Sequence, residues 1–416
     1  MSHAEAGAPL ARPDVDSPYA WMRLGLSLIV GTLASVGTWS VVVALPTIQI
    51  EFGTLRAGAS LPYTLTMVGF AVGSIVMGRL ADRFGIITPI LLGAVLLASG
   101  YGLASQASNL WLFALAHGCL IGPGAAAGFA PLIADVSHWF RKRRGFAVAV
   151  GASGSYLAGA IWPLVIQHFI ATQGWRWTHV AIGVFVGLAM VALSPFFTRR
   201  PGHQSMAAAE TETQTARDAL GLSPGALQAL LVVAGFACCV AMSMPQVHLV
   251  AYCGDLGYGV AVGAQMLSLM LGLGIVSRIG SGFLADRVGG GTMLIIGSAM
   301  QGTALLLYLL FDGKTALYAI SALFGLFQGG IVPMYAVLTR QLLPPRQAGA
   351  RIGLVMMATV LGMAFGGFVS GFIFDVTRSY HMAFANGLAW NLVNLSVVSF
   401  ILLRPRLRKR LPGATA

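Results

Sequence analysis

Arg278 stands inside an apolar run that extends from Val260 to Phe283, eight positions before Asp286. At 1.5 Å per helical residue, its guanidinium lies about 12 Å in from the turn that ends the run. A charge so placed costs at least about 2.5–3.5 kcal/mol to insert into a bilayer, so it needs a reason to be there. A planar, permanently charged fork is suited to holding a carboxylate through parallel hydrogen bonds. The competing reading is an arginine that snorkels to the interface or caps carbonyls of a neighbouring helix. His117 and His248 also lie in apolar runs. Imidazole, with an ordinary pKa near 6.5, can carry a proton. Each reads first as a hydrogen-bonded residue at a helix contact and second as a proton carrier. Pro245 and Gln246 precede His248, and a proline there frees a carbonyl and permits a hinge. Gln328 and Tyr335, on either side of Pro333, are candidate cavity residues on the same grounds. Tyr63 and Trp162 read equally as packing or interface aromatics.

The 13 acidic residues fall in loops, tails or helix ends, so none offers a mid-membrane proton site. The four cysteines have no metal-ligand spacing and read as small packing residues. There is no Walker loop, no His-Glu-x-x-His and no nucleophile elbow. The residue inventory therefore implies no enzyme, no metal and no cofactor.

The elements that must position these groups are membrane helices. Hydrophobic residues make up 57% of the 416, and charged residues only 9%, against about 25% in soluble domains. Apolar runs of about 20 residues, the length that spans a bilayer, occur near 22–48, 61–81, 87–106, 109–136, 145–170 and 177–197. A second six follow near 225–252, 260–283, 291–311, 315–341, 350–376 and 380–403. The polar stretch 198–224 reads as a flexible linker between six-helix bundles at 22–197 and 225–403. Residues 1–21 and 404–416 are the tails, the second basic, and the first lacks the pattern of a cleavable signal. With both termini cytoplasmic, 20 of the 25 Lys and Arg residues lie inside. Four lie outside (Arg56, Arg176, Lys314 and Arg378), and Arg278 is the last. That distribution explains the net charge of +12 through topology, without nucleic acid.

A repeat ties the two sets together. Gly78-Arg79-Leu80-Ala81-Asp82-Arg83-Phe84-Gly85 closes the second run, and Gly282-Phe283-Leu284-Ala285-Asp286-Arg287-Val288-Gly289 closes the eighth, 204 residues later. The string resembles the signature loop of the major facilitator superfamily, here in both halves. Its glycines suit a tight turn and close helix contact. The resemblance implies a conformational latch built on Asp82, Arg83, Asp286 and Arg287. Trp139-Phe140-Arg141-Lys142-Arg143-Arg144-Gly145, followed by Gly151-Ala152-Ser153-Gly154, is similar to the monocarboxylate transporters and the oxalate:formate antiporter group. Ser277-Arg278-Ile279-Gly280-Ser281-Gly282 resembles their eighth helix, which carries an intramembrane arginine.

That resemblance implies Arg278 as the substrate-binding cation. It also makes Thr47, where animal relatives have a lysine after the proline of helix 1, a substrate-side position. Gly274 occupies the site of their usual aspartate, and 352–374 lacks the antiporter's second cation. One intramembrane cation matches one carboxylate. The reading is an all-α transporter of twelve membrane helices that moves a small organic anion by alternating access. A monocarboxylate is the leading substrate, and protons and membrane lipids are the remaining partners. Rival readings are an effluxer of drugs or apolar metabolites, and a transport-inactive sensor. The Ala-, Gly- and Arg-rich composition is compatible with a bacterial source and hence an inner membrane.

Overall fold

The computed structural model describes residues 16–140, 144–199, 222–343 and 348–410. Among them, twelve helices are long and apolar enough to cross a membrane. In the first half they are α1 (Pro18–Glu51), α2 (Arg56–Ala81), α3 (Ile87–Ser105), α4 (Leu110–Val136), α5 (Phe146–Gln173) and α6 (Trp175–Phe197). In the second they are α7 (Pro224–Asp255), α8 (Val260–Ala285), α9 (Gly290–Leu310), α10 (Lys314–Thr339), α11 (Arg351–Thr377) and α12 (Tyr380–Arg404). Most of the linker expected at 198–224 lies outside the described residues.

Local chemistry fixes several helix starts. Ser17 accepts from the Ala20 amide with Pro18 in the first turn, which begins α1 ahead of its apolar run. Asn109 accepts from the Leu112 amide at 2.9 Å and separates α4 from α3. The helix of α2 starts at Arg56, five residues before its apolar run, and Leu55 provides no side-chain cap.

Four spans are interrupted. α1 breaks between Ala34 and Val36, α5 between Ala152 and Gly154, and α10 between Gln328 and Ile331. α4 winds through a π-turn at His117–Ile121 and breaks again after Ala126. Such breaks leave carbonyls without intrahelical donors, and in a bilayer another protein group must meet them.

The repeat runs through the fold at a constant offset. The helix containing α2 runs from Arg56 to Phe84 and that containing α8 from Val260 to Val288, with first and last residues both 204 apart. The two segments of α5, Arg144 to Gln173, match Ala348–Thr377 of α11 at the same offset. Gly85 and Gly289 end the repeated helices with φ of 90° and 85°, a conformation that glycine adopts without strain. At Gly78 and Gly282, by contrast, nothing among the described residues lies within 4 Å of where a Cβ would sit, so neither glycine makes the expected close helix contact there.

Two helix pairs make most of the contact between the halves, α2 with α11 and α5 with α8, and the second segment of α1 also meets α7. Twelve crossings return the chain to the end where it began, and we call that end proximal and the other distal. One continuous apolar core runs through both halves.

Candidate functional site

Arg278 lies on the α5–α8 seam, 6% exposed. Its Nε donates to the Gly329 carbonyl at 3.1 Å and its Nη1 to the Ala152 carbonyl at 2.6 Å. The guanidinium carbon stands 4.2 Å from the centre of the Tyr156 ring. Both carbonyls lie at helix breaks. Gly329 is four residues before Pro333, which has no N–H to offer it. Ala152 ends the first segment of α5. Arg278 thus bridges the halves by filling acceptor sites that the breaks leave open.

The packing here depends on two glycines. A Cβ at Gly274 would run into the Tyr156 ring, and one at Gly329 would meet the Gly274 carbonyl. Tyr156 therefore occupies the space that an aspartate at 274 would need.

The described structure holds two other buried arginines, each paired with an acid. Arg23 bonds both oxygens of Asp135, at 2.7 and 2.8 Å, and joins α1 to α4. Arg56 donates to Asp255 at 2.6 Å. Arg278 alone of the three has no carboxylate partner among the described residues.

The other expected site residues are dispersed. Gln328, fully buried beside Gly329, accepts from the Gln246 amide at 2.8 Å, and each amide keeps one buried group without a partner. Tyr335 is held inside the second bundle, its hydroxyl 2.5 Å from Asn394 Oδ1 and 3.1 Å from the Ala234 carbonyl. Thr47 is half-buried on α1, and no hydrogen bond joins it to Arg278 among the described residues.

His248 faces the Gly367 carbonyl through Nε2 at 2.8 Å, joining α7 to α11. A carbonyl only accepts, so Nε2 carries the hydrogen. His117 bonds through Nδ1 to the Phe113 carbonyl of its own helix. Its ring lies 5.8 Å from that of His179, which bonds the Trp175 carbonyl in the same way. Nε2 of both rings is buried without a partner.

At the distal end the α2–α11 seam closes on charge. Asp375 accepts from the backbone N–H groups of Arg56 and Ala57 at 2.8 and 2.7 Å. It thereby caps a helix of the other half, where the helix dipole favours an anion. Further in, the Thr64 hydroxyl reaches the Ala364 carbonyl at 3.2 Å, and Gly367 packs on Tyr63. At the proximal end, Arg83 and Arg287 are exposed, and Arg83 lies over its neighbour Phe84. The side chains of Asp82 and Asp286 lie outside the described residues.

The Major Facilitator Superfamily model matches residues 27–315 and 282–416. The chain belongs to the major facilitator superfamily. Bovine monocarboxylate transporter 13 is 28% identical over 403 residues, covering 92% of this chain and 89% of that protein. The Fujikurins efflux protein of Gibberella fujikuroi is 28% identical over 293 residues, covering 69% and 61%. Among solved structures, a bacterial homologue of the human lysosomal transporter Spinster, inward-facing and unoccupied, matches with a TM-score of 0.67 at 16% identity. That match covers 96% of this chain and all of the other. The E. coli fucose:proton symporter matches at 0.63, covering 92% and 99%.

In this major facilitator protein, sequence reasoning passed over Arg56, Asp255, Asp375, Tyr156 and His179. Two signals were present. Leu55 gives α2 no cap of its own, and the Gly367-x-x-x-Gly371 spacing marks where α11 meets Tyr63 and Ser60.

Proposed function

We propose that the chain is a secondary transporter that moves a small monocarboxylate by alternating access, with Arg278 as the residue that receives the carboxylate. The observation that carries this reading is a buried cation on the seam between the halves with no acid beside it among the described residues. A site that must bind and release an anion has reason to leave its cation without a resident carboxylate, since a fixed pair would compete with the substrate. The unmet groups of Gln246 and Gln328, next to the carbonyl that Arg278 holds, supply further polar contacts. The name of the bovine relative supports the substrate class.

The distal end is taken as outside, following the distribution of Lys and Arg. Proton coupling completes the proposal, with His117 and His248 as carriers, and the proximal Asp82, Arg83, Asp286 and Arg287 remain the proposed inner latch. A bacterial inner membrane rests on composition alone, because the relatives matched by sequence are mammalian and fungal.

Uptake of labelled acetate, pyruvate and benzoate into proteoliposomes tests the proposal. Saturable uptake of one of them that Arg278→Lys abolishes supports it, whereas full activity in the variant sinks it. Acceleration by an inward proton gradient supports coupling, and equal rates with and without the gradient dismiss it.

Efflux of larger apolar compounds is the second reading. It is favoured by the fungal efflux relatives. Transport of such compounds with none of the carboxylates would decide for it.

A further inference from the structure

Three of the four interrupted spans meet at one point. A Cβ at Gly31 of α1 would press on the Gly128 carbonyl of α4, one at Gly128 would run into Ala34, and one at Gly154 of α5 would meet the Gly31 backbone. Gly31 lies three residues before the end of the first α1 segment, Gly128 lies inside the second α4 break, and Gly154 begins the second α5 segment. Glycine alone leaves room for backbones to approach so closely. At the repeat offset of 204 the matching residues are Gly235, Val332 and Ala358, and the α7 and α11 helices run unbroken. The second half does not repeat this glycine node.

The chain on the proximal side of the node holds together by itself. Segments Pro18–Ala34, Ala130–Trp139 and Arg144–Ala152 meet around a small apolar core of Ala20, Leu24, Val136, Trp139, Phe140 and Ala147, apart from the main one. The buried Arg23–Asp135 pair ties α1 to α4. The Trp21 ring stands 5.1 Å from that of Phe140 and 6.2 Å from that of Phe146, which ties α1 to α5 as well. The closing turn of α6 joins them, because Tyr19 and Arg23 donate to the Phe196 and Phe197 carbonyls. A unit with its own core and ion pair, joined to the rest through breaks that share one node, is built to turn as a body.

Arg278 spans the α5 break from the other half. Its Nη1 holds the Ala152 carbonyl on the proximal side of the break, and its guanidinium lies over the Tyr156 ring on the distal side. So placed, it splints the break. A carboxylate that draws the guanidinium away from Ala152 removes the splint.

We propose that the proximal segments of α1, α4 and α5 turn as one unit on the Gly31–Gly128–Gly154 node, reshaping the proximal mouth within the first half, and that Arg278 restrains this turn until an anion takes its guanidinium. The role of the anion rests on the transport reading above; the hinge itself does not.

The test reads distances between spin labels on α3 and α5 of the full chain in proteoliposomes, with the exposed Cys119 replaced by serine. One pair, Leu91→Cys with Phe146→Cys, lies on the proximal side of the break. The other, Leu103→Cys with Phe169→Cys, lies on the distal side, and all four side chains are exposed. With saturating acetate, pyruvate or benzoate the proximal pair is expected to shift by about 4 Å, a turn of about 20° on an arm of about 13 Å, while the distal pair stays. Arg278→Ala is expected to show the same shift with no anion. A proximal pair that stays in both arms overturns the hinge, and so does an equal shift of both pairs, which would mean that α5 tilts whole. Should Arg278→Ala not fold, the wild type with and without anion decides by the same readout. A shift in Arg278→Ala with no response of the wild type to any of the three anions keeps the hinge and sinks the carboxylate reading. Wild-type uptake with a proximal pair that stays sinks the hinge alone.

Discussion

The α2–α11 and α5–α8 seams are copies of each other at an offset of 204 residues, yet they are fastened at different depths and by different chemistry. The first is held at its distal end by Arg56 and Asp375, and the equivalent positions in the second are Val260 and Ala171. The second is held further in by Arg278 and Tyr156, whose equivalents in the first are Ser74 and Val360. Ser74 merely bonds back to the Phe70 carbonyl of its own helix. The acids that end the first helix of each half differ in the same way. Glu51 bonds Trp175 and Arg176 within its own half, whereas its equivalent Asp255 bonds Arg56 across the boundary. A duplicated fold supplies symmetric helices, and single substitutions at equivalent positions decide which seam resists opening and where. The distal fastening borders water, which can replace its bonds as the halves part. The Arg278 fastening is buried, and its partners are neutral carbonyls, which are weaker acceptors for a guanidinium than a carboxylate.

The comparison can be broken most severely at Arg278. Arg278→Lys keeps the charge but loses the planar fork, and carboxylate uptake is expected to fall by about a hundredfold or more in proteoliposomes. Asp375→Ala strips the cap that α2 borrows, worth about 1–2 kcal/mol. It is expected to shift the distal end toward the open state by about tenfold, read from distances between spin labels on the distal ends of α2 and α11. Installing the missing fastening sharpens the test. Val260→Arg combined with Ala171→Asp should slow turnover about fivefold, and an unchanged rate would mean that the distal charges do not gate. Smallest is Asp255→Asn. With its partner half in water, the pair should contribute less than about 1 kcal/mol, and the distal-state ratio should move about twofold, less still at high salt.

The architecture was legible because its causes are written in contiguous residues. Run length gives the spans, the recurring Gly-x-Leu-Ala-Asp-Arg-x-Gly string gives the duplication, and an arginine in an apolar run announces itself. Arg278's partners were half legible: Pro333 frees the Gly329 carbonyl, but nothing local says that the break at Ala152 will face it. The distal cluster was not legible. Arg56, Asp255 and Asp375 read as ordinary charges at helix ends, and Arg56 stands 319 positions from Asp375. Only the packing of α2 against α11 brings them together. Tyr335 illustrates the opposite limit. Its place beside Pro333 suggested the cavity, while the side chain turns inward to Asn394 because that helix face packs on α7 and α12.

The cap that α2 borrows from Asp375 makes one end of a helix depend on a residue that departs when the halves separate. On the proposed alternating-access cycle, the amides of Arg56 and Ala57 would lose their acceptor when the distal end opens, and the first turn of α2 would be left to fray. Their exchange with deuterium would then run at a rate proportional to the time spent open. Two backbone positions would then report how long the distal end stands open, with no probe attached to the chain.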